Sequence, residues 1–110
     1  MNIMNIRGHR AVIQYDPDTD LLRGEFVGLN GGADFYAGTV PKLRVEGEKS
    51  LRAFLATCKA EGIEPQKSYS GKFQVRVPEQ VHALAVEIAA AEGVSLNQLV
   101  QRAIEHEIHA

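Results

Sequence analysis

Hydrophobic and polar residues follow two different periods along this chain, and the same change of period occurs twice. In residues 22–26 apolar or small residues alternate with charged ones, and from residue 43 to 58 apolar positions recur at helical spacing. The order then repeats, with strict alternation over residues 72–77 and helical spacing beyond it. Residues 64–71, between the two blocks, are aperiodic and contain a proline and a glycine, which is typical of a linker. The pattern predicts two small domains, residues 1–68 and 69–110.

The first block begins with β-prone stretches at residues 10–15 and 22–27, separated by turn-forming residues 16–20. A further turn cluster leads to a third short strand at residues 33–37. Thr39 is the predicted N-cap of the helix that follows, and Gly62 is its predicted C-terminal stop. The apolar face of this helix comprises Leu43, Leu51, Phe54, Leu55 and Cys58.

The N-terminal domain is therefore predicted to be β-β-β-α, a three-stranded sheet with one covering helix. Gly47, inside that helix, is expected to weaken it by about 1 kcal/mol relative to alanine.

In the second block, residues 72–77 alternate polar and apolar at all six positions, and Pro78 ends the stretch. Residues 79–92 then present an apolar helical face that consists of Val81, Leu84, Ala85, Ile88 and Ala91. Ser95 to Gln98 match the S-x-x-Q capping box, which begins a second amphipathic helix. The predicted order is β-α-α, so the whole chain is of the α+β class.

About forty residues in this order cannot bury an adequate core, and one strand cannot satisfy its own ladder hydrogen bonds. Two copies that pair their strands antiparallel and interlock their helices remove both defects. The apolar members of residues 72–77 then face the helices and the polar members form the outside of a two-stranded ribbon. The major groove of B-DNA admits such a ribbon.

Chemistry favours DNA as the partner of this ribbon. Lys72 and Arg76 can donate to guanine, Gln74 can pair with adenine, and the helix start near Ser95 and Asn97 offers backbone amides to a phosphate. A solvated strand face, or a module that only oligomerises, is the alternative interpretation.

Charge and composition limit this hypothesis without removing it. The net charge of the 110 residues is −2, and residues 71–110 hold three Lys or Arg against five Asp or Glu. DNA binding would therefore depend on where the cations lie and not on their total. One cysteine, no apolar run of membrane-spanning length and no basic, apolar start favour a cytoplasmic protein without a membrane partner.

The candidate metal-binding and catalytic residues match the patterns of such sites poorly. The acidic turn at residues 16–20 departs from a calcium loop, with Leu21 at the sixth position and Val27 at the twelfth. A two-metal nuclease site built from Asp16, Glu25 and Asp34 would need a further acidic strand. His106 and His109 have no third ligand nearby. We expect no cofactor, no metal and no enzymatic activity.

Residues 73–78, the Glu92 to Ser95 connection and Leu96-Asn97-Gln98 resemble the ribbon-helix-helix repressors. A wider resemblance, to HicB antitoxins, rests on short fragments in order. These are Tyr15-Asp16, Gly24, Val27-Gly28-Leu29, Phe35 with Gly38-Thr39-Val40, Leu55 with Cys58, Glu61 to Pro65, Ser70 to Phe73 and Ser95 to Gln98. Lys42, Arg44 and Glu46-Gly47 depart from the family pattern.

The resemblance implies an N-terminal domain with a partial ribonuclease H-like fold that blocks HicA, a small toxin that cleaves mRNA using a histidine. It also implies a C-terminal tail that binds the promoter of its own operon as a homodimer, with a tetramer left open. The residues expected to face a basic toxin are Tyr15, Asp16, Asp18, Asp20, Glu25 and Asp34. Two alternatives remain, a plain repressor whose N-terminal domain senses a ligand or oligomerises, and a degenerate nuclease.

Overall fold

The chain folds into a four-stranded antiparallel sheet followed by three helices, an α+β arrangement. The computed structural model describes residues 2–109. The elements are β1 (Ile3–Ile6), β2 (His9–Asp16), β3 (Leu21–Phe26), β4 (Asp34–Ala37), α1 (Val40–Glu61), α2 (Glu79–Glu92) and α3 (Leu96–Ile108). The chain divides into two compact units, unit 1 ending at Ser70 and unit 2 beginning at Gly71. The boundary predicted from the sequence lies two residues earlier.

The sheet of unit 1 is a meander in the order β1-β2-β3-β4, so the prediction of three strands was wrong by one. The additional strand is β1, which pairs with β2 across a two-residue turn at Arg7 and Gly8. Both turn residues have positive φ, 50° and 83°, as the tight hairpins that suit strand twist require. Met4 and Ile6 of β1 are buried, but Ile3, which directly precedes Met4, is apolar and exposed, and it hides the alternation in the sequence.

Phe35 is at the centre of the core of unit 1, and two glycines make room for it. It lies directly opposite Gly24 across the β3–β4 ladder. A Cβ atom on Gly24 would be 2.2 Å from the Phe35 ring, and one on Gly47 would be 2.9 Å from the ring and 2.3 Å from Ile6 Cδ1. Gly47 therefore allows helix α1 to approach strands β1 and β4 closely, which the expectation from helix propensity alone did not include.

Helix α1 begins and ends as its sequence predicts. The Thr39 hydroxyl accepts a hydrogen bond from Lys42 N at 3.4 Å, and Gly62 adopts the left-handed conformation at φ 68°. Leu43, Leu51 and Cys58 of the predicted apolar face are buried. The helix thus covers one face of the sheet, and the other face carries the polar side chains of β2, β3 and β4.

Two side chains of α1 also satisfy backbone groups on the outer strands. Arg44 Nη1 donates to the Asn5 carbonyl of β1 at 3.0 Å, and Ser50 Oγ donates to the Asp34 carbonyl of β4 at 3.2 Å. Exposed strand edges invite pairing with other chains, and capping their carbonyls reduces that tendency. Arg44 and Gly47, which depart from the family pattern, therefore both have structural roles in this chain.

The first half of the predicted linker is not a free tether. Residues 64–67 lie along the loop at residues 28–30 and form an isolated β-bridge between Leu29 and Gln66. We call residues 64–67 and 28–30 the clamp. Residues 68–70 complete unit 1, and Gly71 begins unit 2. Lack of periodicity in the sequence identified an irregular segment, but it could not show that backbone hydrogen bonds hold half of it.

Unit 2 consists of α2 and α3, preceded by residues 72–77, which form no strand within the single chain. Ser95 and Gln98 form the predicted capping box, and Gly93 ends α2 at φ 71°. Within residues 2–109 no helix alone is long and apolar enough to cross a membrane; α2 and α3 together meet that length, but they are bent by 101°.

The packing around Gly47 predicts that Gly47→Ala destabilises unit 1, although alanine is the better helix former. We expect the free energy of unfolding to fall by about 1–3 kcal/mol, the usual cost of overpacking a core. Urea unfolding followed by circular dichroism measures the change. The double variant Ile6→Ala/Gly47→Ala supplies the missing space. Its loss of unfolding free energy should therefore be smaller than the sum of the losses in the two single variants. A gain in stability from Gly47→Ala alone would contradict this account of the core.

Candidate nucleic-acid and partner-binding surfaces

Unit 2 leaves most of its apolar side chains uncovered. Ala89 is its only buried residue among those described. Leu84 and Ile88, on the predicted apolar face of α2, are 57% and 50% exposed, and Phe73 is 72% exposed. The other large exposed apolar residues of this unit are Val75, Val77, Val81, Val86, Val100, Ile104 and Ile108. The amphipathic pattern in the sequence therefore marks a surface that the single chain does not bury.

Two open clefts separate residues 71–77 from the helices. The first has a volume of about 520 Å³ and the second about 510 Å³. Phe73 and Val75 line the first together with Val100 and Ile104 of α3. The first cleft also has polar walls, which include Asn97, Gln101 and Glu105, whereas the second is lined mostly by apolar side chains.

The predicted DNA-contacting residues of the ribbon segment are all exposed, and so are the apolar residues between them. Lys72 and Asn97 line the first cleft, and Arg76 lines the second together with His82. Gln74 lines neither of these two clefts. The single chain brings Lys72 near Asn97, but it does not sort the segment into an apolar and a polar face. That sorting would need a paired strand.

At the start of α3, the groups that could bind a phosphate are the first backbone amides and not the Ser95 hydroxyl. Ser95 Oγ accepts from Gln98 N at 3.0 Å, and Ser95 N donates to Gln98 Oε1 at 2.8 Å. The amides of Leu96 and Asn97, in the first turn, have no acceptor within the helix. A phosphate at this position would therefore meet the backbone of Leu96 and Asn97, with Ser95 acting as the cap that orients it.

The third cation of unit 2, Arg102 on α3, is engaged within the unit. Its guanidinium forms an ion pair and a hydrogen bond with the Glu92 carboxylate at the end of α2. Lys72 and Arg76 are then the two cations of this unit that lie on the ribbon segment. They are also the two that the sequence places on one side of an alternating strand.

In unit 1 the six residues expected to face a toxin separate into two groups. The first group is at the β2–β3 hairpin and consists of Tyr15, Asp16, Asp18 and Asp20. Tyr15 Oη donates to Asp20 Oδ1 at 2.7 Å, and the Asp18 amide donates to Asp16 Oδ1 at 2.9 Å. The hydrogen bond to Asp20 raises the pKa of the Tyr15 hydroxyl above its ordinary value, since loss of the proton would remove the donor. These contacts hold the hairpin side chains in place at its exposed end.

The second group, Glu25 and Asp34, faces outward on the open side of the sheet beside Arg23. Arg23 forms ion pairs with Glu25 at 2.9 Å and with Asp34 at 3.3 Å. Hydrogen bonds to Glu25 and Tyr36 raise the pKa of the Arg23 guanidinium. One cation thus lies between two carboxylates and reduces their negative field. Arg23 was not among the residues predicted for this surface, although its place between Leu22 and Gly24 predicts that it faces away from the core.

Within residues 2–109 the structure contains no group of three or more His, Cys, Asp or Glu side chains arranged to hold a metal ion. In the acidic hairpin, the Asp16 carboxylate accepts from the backbone amide of Asp18, and the Asp20 carboxylate accepts from Tyr15.

Comparison with known proteins gives one match. The model of the HicB family matches residues 54–104, slightly less than half of the chain. The matched span runs from the second half of α1 through the 64–67 side of the clamp and residues 68–78 into α2 and most of α3. No curated protein and no solved structure matches the chain significantly. The order of elements in the matched span agrees with the fragments noted in the sequence, and the match supports membership of this chain in the HicB family.

Proposed function

We propose that the protein is an antitoxin that dimerises through unit 2, binds the DNA of its own promoter with the paired 72–77 segments, and neutralises a HicA-like toxin with unit 1. The observation that carries this proposal is the uncovered apolar surface of unit 2 next to a strictly alternating segment, residues 72–77, that belongs to no strand in the described part of the chain. The HicB family match suggests a toxin-antitoxin role for the chain as a whole.

A second copy is the occupant that best fits the surface of unit 2. An alternating segment needs a neighbouring strand for its backbone groups, and an identical segment supplies one that fits by symmetry. Pairing would direct Phe73, Val75 and Val77 toward the clefts that Val100 and Ile104 already line. Each square ångström of apolar surface removed from water contributes roughly 25 cal/mol, so covering several large side chains twice stabilises a dimer substantially.

Pairing has a second consequence, which is chemical. Once the apolar side chains of the segment face the helices, Lys72, Gln74 and Arg76 share the opposite face of a two-stranded ribbon. Side chains of these types read base edges in the major groove, and the first amides of α3 suit the neighbouring phosphates. The net acidity of residues 71–110 would keep non-specific binding weak and sensitive to salt.

For unit 1, the hairpin group is the stronger candidate for contact with a toxin. A toxin that cleaves RNA presents a basic surface, and carboxylates on the partner accelerate association with it. Asp16 and Asp20 accept hydrogen bonds from the Asp18 amide and from Tyr15 Oη, whereas Arg23 forms ion pairs with Glu25 and Asp34 and offsets their charge. We therefore assign the first contact to the β2–β3 hairpin and a lesser role to the open face of the sheet.

The DNA assignment predicts that Arg76→Ala lowers specific affinity for the DNA upstream of the gene. The expected loss is about 1–3 kcal/mol for each contacted base, counted twice in a symmetric dimer. Fluorescence anisotropy with a labelled promoter fragment measures it. Arg102→Ala is the matched control, because it removes the same charge from the same unit at a side chain that is paired with Glu92. If both variants lose the same affinity, or if Arg76→Ala binds as the parent does, the ribbon does not read DNA.

The toxin assignment predicts that the two activities can be separated. Residues 1–68, which contain all four strands, α1 and the clamp, should restore growth to cells that express the neighbouring toxin gene. Residues 69–110 should not. In the full chain, Asp18→Lys should slow association with the purified toxin, while Glu61→Lys, an exposed carboxylate at the end of α1, should have little effect. Surface plasmon resonance gives both rates. A folded 1–68 fragment that neither binds nor rescues would favour the plain repressor.

A further inference from the structure

Strand β4 is at one end of the sheet and pairs with β3 on one side only. Just before the strand, the Phe26 amide donates to the Ala33 carbonyl at 3.0 Å. Residues of an antiparallel pair alternate between bonded and non-bonded positions, so every second residue from Ala33 bonds to β3. The backbone N–H and C=O groups of Asp34 and Tyr36 therefore point away from β3, toward the free edge.

Three of these four edge groups are available to another strand. Ser50 Oγ of α1 donates to the fourth, the Asp34 carbonyl, at 3.2 Å. Within residues 2–109 no other hydrogen bond reaches the edge groups of Asp34 and Tyr36. Backbone groups at a sheet edge pair with the backbone of an added strand. The edge thus specifies an extended peptide as the kind of ligand that it can hold.

Helix α1 forms the second wall of a groove along this edge. A recess of about 310 Å³ lies beside the end of β4, and another of about 400 Å³ lies beside its start. Residues that line the first recess include Ala37, Lys42 and Val45, and residues that line the second include Ala33, Ala53 and Phe54. We call the free edge of β4 together with these two recesses the β4 groove.

The two recesses are spaced as an added strand requires. Ala33 and Ala37 are four residues apart in extended backbone, a distance of about 13 Å. Val45 and Ala53 are eight residues apart on a helix, a distance of about 12 Å. The helix therefore runs alongside β4 with one recess at each end of the strand.

The register of an added strand decides which of its side chains enter the groove. Residues directly opposite each other in an antiparallel pair point to the same face of the sheet. Side chains opposite Ala33 and Ala37 would therefore point to the helix side, each at one recess, and the side chain opposite Phe35 would meet Ser50. Apolar residues fit the two recesses, a small residue fits beside Ser50, and Lys42 disfavours a cation in the first recess.

The side chain opposite Asp34 would instead face the open side of the sheet, where the local charge is negative. Asp34 and Glu25 share Arg23 as their ion-pair partner. Two carboxylates and one guanidinium leave a net charge of −1 at this position, and the Asp34 side chain is 51% exposed. A basic residue opposite Asp34 would complete the second ion pair.

We propose that the β4 groove binds an extended segment of a partner protein, which adds to the sheet as an antiparallel fifth strand. Tyr36 keeps both of its edge groups, and an antiparallel partner residue exchanges two hydrogen bonds with such a pair. The segment reads apolar, any residue, small, basic, apolar, from the residue opposite Ala37 to the residue opposite Ala33. Main-chain bonds supply affinity in strand addition, and the recesses and Asp34 supply specificity.

This inference goes beyond the proposed function and does not depend on it. The groove lies within unit 1, so it holds a strand whether or not unit 2 binds DNA and whether or not the β2–β3 hairpin contacts a toxin.

The full-length protein, labelled with nitrogen-15 and titrated with a peptide, provides the test. The probe is Val-Thr-Ala-Arg-Val with both ends blocked, and the control peptide carries Glu in place of Arg. The amides of Asp34, Tyr36, Val45 and Ala53 should shift with the probe, whereas the amide of Asn5, on the opposite edge of the sheet, should not. The control peptide should bind at least about fivefold more weakly, because its carboxylate faces Asp34.

Tyr36→Pro removes one edge amide without removing a bond to β3, since that N–H points outward. The affinity for the probe should fall about tenfold, the factor that corresponds to roughly one hydrogen bond. Asn5→Pro is the matched control, because it removes an outward amide at the other edge, which neither recess touches. Its affinity should stay within about twofold of the parent.

Asp34→Asn tests the charge and replaces Tyr36→Pro if that variant does not fold. It should weaken binding of the probe about two- to fivefold, whereas Glu61→Gln, at an exposed carboxylate at the end of α1, should not. Absence of shifts along β4 at millimolar peptide would overturn the proposal. So would equal affinity for the two peptides, or a folded Tyr36→Pro that binds the probe as the parent does.

Discussion

The apolar surface of unit 2, which this unit cannot cover by itself, is the constraint on which the functional account depends. Two helices of 14 and 13 residues with one extended segment bury a single alanine among the residues described. Domains of this size rarely have stable cores without a partner, a metal or a disulfide, and the one cysteine of this chain, Cys58, lies in unit 1. In the proposed dimer a second copy would supply the missing surface and the missing strand in one step. The proposed DNA-reading face would then be a consequence of dimerisation, because Lys72, Gln74 and Arg76 would share one side only when the strands pair.

Unit 1, in contrast, covers its apolar core within one chain. Its sheet is closed over by α1, and the Phe35 ring fits between Gly24 and Gly47 at distances that no larger residue would permit. Arg44 and Ser50 cap outward carbonyls on the two outer strands. Since its core is complete, binding by unit 1 would use polar surface groups. The hairpin carboxylates are held by local hydrogen bonds, while Arg23 offsets those on the open face of the sheet.

The features that the sequence predicted correctly are those encoded by neighbours in the chain. The caps at Thr39, Gly62 and Ser95 each depend on residues within one helical turn, and the buried face of α1 depends on spacing alone. The features that it missed depend on partners far away. Strand β1 was missed because Ile3 breaks the alternation, and the clamp because its hydrogen bonds join backbone groups more than thirty residues apart. Gly47 was expected to weaken its helix, since only the fold shows Ile6 and Phe35 against it. The sequence placed Glu25 and Asp34 on strands that the structure contains, but it could not show that Arg23 pairs with both. The strand predicted for Lys72, Gln74 and Arg76 is absent from the described residues of the single chain.

The most direct test of the central claim is thermal unfolding of the full chain over a hundredfold range of protein concentration, followed by NMR signals specific to each unit. If unit 2 is completed by a second copy, its melting temperature rises with concentration while that of unit 1 does not. Leu84→Asp should then lower the melting temperature of unit 2 and leave a monomer, whereas Val45→Asp, at a similarly exposed valine of unit 1, should change neither. A unit 2 that melts cooperatively at the same temperature at every concentration would contradict the account.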